Sequence, residues 1–121
     1  MDSGTVARLL FVLGIAHVAV GLIKFRGPLR EAVAAGFVGE FHAPEVRHTA
    51  FWFTLFGLPL MLAGQVAVHA ADVGDLGQLK VVGGYVLVTA LIGVVAIPRS
   101  PFWVPLALSP LLIAAGYGLL P

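Results

Sequence analysis

Apolar positions in this chain come in long unbroken runs, and the polar residues gather between them. Four runs extend from about Val6 to Ile23, Ala50 to Ala71, Val81 to Ile97 and Phe102 to Leu120. Each is close to the ~20 residues that carry a helix across a ~30 Å hydrocarbon core. A soluble domain of 121 residues has too little interior to hide four such segments. The expected fold is therefore all-α, an integral membrane four-helix bundle forming a single transmembrane domain. The expected helices cover about 6–24, 45–71, 80–97 and 101–120.

The connections carry their own signals. Lys24-Phe25-Arg26-Gly27-Pro28 caps the first run with charge and then breaks it. Leu29, Val33, Phe37 and Phe41 recur four apart and would share one drifting helical face. Arg30, Glu31 and Glu40 interrupt that stretch, and Gly36 and Gly39 loosen it. A short interfacial or re-entrant helix over about 28–41 is expected. Pro44 suits the first turn of the next helix, where its missing N–H costs nothing. Glu45 suits the positive end of that helix's dipole.

Pro59 should kink the second long helix. Asp72 to Gln78 reads as a watery connection. Pro98-Arg99-Ser100-Pro101 permits only a tight turn, so the last two helices should form an antiparallel hairpin. Pro105 and Pro110 should bend the last helix without ending it.

Composition sharpens the picture. The chain is 60% hydrophobic and 11% charged, against about 25% charged in soluble domains. A net charge of +1 gives no electrostatic case for nucleic acid. The absence of cysteine excludes disulfide exchange, a thiolate nucleophile and Cys-ligated metal clusters. Ala32-Val33-Ala34 looks like a signal-peptide cleavage site, but Lys24, Arg26 and Arg30 precede it, which signal peptides rarely tolerate. An uncleaved first helix is expected.

Lys24, Arg26, Arg30, Arg47 and Arg99 lie in the first and third connections. Arg8 and Lys80 lie on the opposite side, with Asp2, Asp72 and Asp75. The positive-inside tendency then places both termini outside. Trp52 and Trp103, near helix ends on the basic side, fit as interfacial anchors.

In lipid, the few polar groups call for explanation. His17 lies in mid-helix, on the face that carries Gly14 and Gly21. Glycines mark close approach of another helix, so His17 should point inward. It would serve either as interhelical glue or as a proton donor, acceptor or ligand-orienting group. Gln65 also needs a partner, with Tyr85 and Thr89 as candidates, along with Ser109 and Tyr117. A mutually satisfied polar seam is the plainer account.

The densest chemistry is Glu40-Phe41-His42-Ala43-Pro44-Glu45-Val46-Arg47-His48, at the cytoplasmic mouth. Glu40, Glu45 and His48 could supply an acid and a base, and Arg47 could bind an anionic headgroup. The plainer alternative is charge solvated among headgroups. Pro44 breaks the spacing that would join His42, Glu45 and His48 around a metal, so no metal site is expected, and no cofactor motif is present.

The segments Gly14-Ile-Ala-His17-Val-Ala-Val-Gly21, Phe51-Trp52-Phe53 with Gly57 and Gly64, and Pro98-Arg-Ser-Pro-Phe102-Trp103 together resemble a family of small bacterial four-helix membrane proteins of unknown function. Ser100-Pro101 departs slightly from that family's small-residue turn before Phe-Trp. A looser likeness, from Arg8 to Lys24, is to the DoxX-like superfamily. The resemblance implies four helices and a multi-pass place in the bacterial cytoplasmic (inner) membrane. It implies no catalytic residues. Small multidrug transporters are a poor match, because the first helix carries His17 and no carboxylate.

Three functions fit. One is a bundle-interior site for a lipophilic small molecule such as an isoprenoid or quinone, with His17 in the pocket, Glu40, Glu45 and His48 at its mouth, and proton-transfer chemistry of the isomerase or cyclase type. Another is an accessory subunit using Gly14, Gly21, Gly57 and Gly64 for contacts between protomers or with a partner. The third is a small transporter, which would have to be a homo-oligomer to enclose a pathway.

Overall fold

The computed structural model describes residues 1–121 as five helices with no strand. These are α1 (Ser3–Lys24), α2 (Arg26–Ala34), α3 (Glu45–Val73), α4 (Leu76–Ala96) and α5 (Trp103–Gly116). Helices α1, α3 and α4 are each long and apolar enough to cross a membrane, with mean hydropathies of 2.3, 1.7 and 2.1 over their most apolar windows. Helix α5 has 14 residues, about 21 Å of rise, short of a ~30 Å core. The expected helix over 101–120 is thus trimmed at both ends.

Only 22 of 121 residues are buried, and many large apolar side chains lie on the surface. Water would penalise that surface, whereas hydrocarbon solvates it at no cost. Length, hydropathy and surface together make this a membrane protein.

The helices associate as two antiparallel pairs. In the first, Gly14 of α1 lies against Met61 of α3, Gly21 against Thr54, Gly57 against Val18 and Gly64 against Phe11. Numbers rise along α1 as they fall along α3, in one register. A Cβ on any of the four glycines would collide with the facing helix. The chain therefore uses these glycines within itself, not to meet another protein. The second pair is α4 with α5, where Gly83 meets Leu112 and Ile113, Gly93 meets Phe102, and Gly116 meets Lys80. This is the expected hairpin.

The pairs join near the termini. Val6, Ala7 and Leu10 of α1, Ala67 and Ala70 of α3, Leu79, Val82 and Val86 of α4, and Leu112 and Ala115 of α5 form one buried cluster. The Ser3 hydroxyl donates to the Pro121 carbonyl at 3.1 Å, so both termini lie at one end. The other end carries the α1–α2 connection and the α4–α5 turn, where Trp103 Nε1 donates to the Pro98 carbonyl at 2.8 Å.

Three local features differ from the sequence expectation. Helix α2 starts at Arg26 and stops at Ala34, so Phe37 and Phe41 do not continue its face. The stop is a Schellman closure: Phe37 N–H donates to Ala32 and Gly36 N–H to Val33, with Gly36 at φ 109°. The α3–α4 connection is only Gly74-Asp75, since Asp72 and Val73 finish α3 and Leu76 begins α4. Gly74 takes φ 72°, and the Asp75 side chain accepts from Gln78 N–H to cap α4. Pro44 stands just before α3 as its N-cap, not inside the first turn.

Candidate functional site

His17 sits where the glycine seam of α1 and α3 becomes aromatic. Gly14 and Gly21, one turn either side of it, let the α3 backbone come close. That approach lays the His17 imidazole flat on the Phe53 ring, centroids 4.2 Å apart and planes 22° apart. Phe56, one turn further along α3, stands edge-on to it at 5.6 Å. The Phe53 ring also meets Phe25 at 5.4 Å. Lys24 Nζ lies 5.4 Å from the Phe25 ring and 5.8 Å from the Phe53 ring. Phe56 reaches Phe102, at 6.2 Å, which occupies the space left by Gly93.

Two polar atoms in this region are buried without a hydrogen-bond partner: His17 Nε2 and Thr54 Oγ1. Thr54 lies against Gly21, one turn from His17 on α1, and follows Phe53 on α3. Orphaned buried polar groups cost about 1–3 kcal/mol each. A ring held by stacking, with a free nitrogen, is suited to binding the polar end of an otherwise apolar molecule.

The other candidates do not gather here. Glu45 and His48 are exposed on the first turn of α3, and Glu40 is half-buried in the connection before it. His48 stands edge-on to Trp52 at 6.4 Å. Glu45 is eight residues from Phe53, about 12 Å along the helix. Arg47 is half-buried with Nε unpartnered. No group of three or more His, Asp or Glu side chains converges as a metal site would require. Glu45 and His48 lie one turn apart on the first turn of α3, with Glu40 in the connection before it.

The polar seam expected at Gln65 does not form. Gln65 and Thr89 lie on the outer surface, and Tyr85 is 76% exposed. None of the side-chain hydrogen bonds involves them. Ser109 is spent inside α5, donating to the Leu106 carbonyl at 3.3 Å. Sequence reasoning placed His17 but missed Phe53, Phe56 and Thr54 beside it. The signal was present: Phe53 and Gly57 are one turn apart, so the helix that meets the glycine seam must also present Phe53 to it.

Residues 2–117 match the model of a family of unknown function, DUF6463. The chain belongs to that family. No curated protein and no solved structure matches it.

Proposed function

We propose that this chain is a binding protein for an apolar small molecule with one polar end, held in the membrane beside His17. The carrying observation is His17 Nε2, buried without a partner on a ring fixed by Phe53. A ketone, quinone or alcohol oxygen on an isoprenoid-like body would satisfy Nε2, while the body lies along Phe53 and Phe56. Phe56 is 37% exposed, so the aromatic patch is open to the lipid side. Thr54 Oγ1 offers a second polar contact. Proton transfer, of the isomerase or cyclase kind, is the chemistry an imidazole in that position would supply.

In this reading α5 and its flanks act as a fourth span, and the protein is a four-helix bundle of the bacterial cytoplasmic membrane. Two observations support the topology. Both termini lie at one end, and α5 runs antiparallel beside α4 from Phe102 at Gly93 to Gly116 at Lys80. Lys24, Arg26, Arg30, Arg47 and Arg99 lie toward the end opposite the termini, which would put the termini outside. Arg47 and His48 would then sit among cytoplasmic headgroups.

The test is native mass spectrometry of the protein released in mild detergent from the membrane that makes it. The expected result is one chemically uniform apolar ligand, kept by the wild type and lost by His17→Ala at unchanged helix content. Equal retention by the variant removes His17 from the site. A wild type that carries no ligand overturns the reading.

A further inference from the structure

The outward face of α3 carries Leu55, Leu58, Leu62, Gln65, His69 and Asp72, all exposed. Their spacing alternates three and four residues, the repeat of a left-handed helix–helix seam. Leu58 and Leu62 are 53% and 63% exposed, so nothing in the chain covers the centre of the stripe. The adjoining face of α3 is already filled, through Thr54, Gly57, Met61 and Gly64 against α1, so the stripe runs along the edge of that contact.

Gln65 sets this face apart from ordinary lipid-facing surface. α3 has 29 residues, about 43 Å of rise, so a ~30 Å core centred on it takes in Gln65 and ends near His69. Unpaired, the amide would leave two donors and an acceptor in hydrocarbon. The polar residues exposed on α4 pose less of this problem. Thr89 can donate to a carbonyl of its own helix, and Tyr85 carries one hydroxyl donor on a large apolar ring, against the two donors and the acceptor of the amide. The amide of Gln65, by contrast, is self-complementary: related by a two-fold axis, each can donate to the other.

We propose that α3 pairs in parallel with α3 of a second copy of this chain, in a dimer centred on Leu62 and Gln65. Gln65 of each copy hydrogen-bonds Gln65 of the other, and Leu58 and Leu62 supply the apolar contact. One polar pair in an apolar seam fixes register as well as affinity. This inference is independent of the His17 site, which lies on the other side of α3.

The absence of cysteine makes the test direct. Single variants Leu58→Cys, Leu62→Cys, Gln65→Cys and, on α4, Thr89→Cys are oxidised in reconstituted lipid vesicles. Covalent dimers are expected at positions 62 and 65, and at 58 in lower yield, with none at 89. Cross-linking at 89 and not at 62 would move the interface to α4 and overturn the proposal, as would no cross-linking at any position. In vesicle energy-transfer titrations, Gln65→Leu should weaken association roughly 3- to 30-fold, the worth of interhelical hydrogen bonds in lipid. Unchanged association by Gln65→Leu would remove the amide pair from the interface.

Discussion

His17 and Phe53 are stacked face to face, 4.2 Å between centroids and 22° between planes, across the α1–α3 seam. Such a contact is worth about 0.5–1.5 kcal/mol beyond the area it buries. More to the point, it fixes where Nε2 lies. Phe53→Leu keeps an apolar side chain but removes the flat surface under the imidazole. Its expected effect is a loss of ligand retention, accompanied by a loss of about 0.5–1.5 kcal/mol of stability in detergent for the missing stack. Retention at the wild-type level would mean that stacking does not position His17.

The glycine seam gives a sharper contrast. A methyl at Gly64 would meet the Phe11 backbone, whereas one at Gly84 meets nothing within 4 Å. Gly64→Ala should therefore destabilise the protein by about 1–3 kcal/mol, the usual cost of overpacking a close contact. Gly84→Ala should be neutral or stabilising by up to about 1 kcal/mol, since alanine is the better helix former. Unfolding of both variants by SDS in mixed micelles would check this. Equal effects at the two positions would mean that α1 and α3 do not approach as closely as described.

Much of this architecture could be read from the sequence, because lipid imposes length. The three long spans and the inward place of His17 followed from run length and from Gly14 and Gly21. What could not be read is which flank of a helix faces a neighbour. In a soluble helix, polar residues mark the outside. In lipid that contrast disappears, and Gln65, close to Thr54 and Met61 on the helical wheel, is left exposed at the edge of the contact those two residues make with α1. The ends of helices were blurred for a related reason. Asp72 and Val73 read as loop by polarity, yet the Gly74 closure keeps them helical.

Asp2 caps α1, its side chain accepting from Thr5 N–H at 2.7 Å. The hydrogen bonds to Thr5 hold its carboxyl below the ordinary carboxylate range, with Arg8 adding a smaller electrostatic pull. A carboxyl whose pKa is lowered by folding stabilises the folded form above its unfolded pKa. That contribution is lost as pH falls through the folded value. The Thr5 amide should therefore exchange with solvent faster in Asp2→Ala than in the wild type at neutral pH. The difference should disappear in strong acid. Hydrogen exchange read by mass spectrometry would show it, and equal exchange at neutral pH would remove the cap from α1.

In α5, Pro110 has no N–H to offer the Leu106 carbonyl one turn back. The Ser109 hydroxyl makes that bond instead, at 3.3 Å, from a fully buried position. Ser109→Ala should strand the carbonyl in an apolar interior and cost about 1–3 kcal/mol. Were the effect only the loss of a small side chain, a change at position 110 would not repair it. Pro110→Ala restores a backbone donor, so the double variant Ser109→Ala/Pro110→Ala should recover most of the stability lost by Ser109→Ala alone. Unfolding midpoints of wild type, both single variants and the double variant give the coupling directly. Strict additivity would show that the hydroxyl and the missing N–H are unrelated, and that Pro110 is tolerated for another reason.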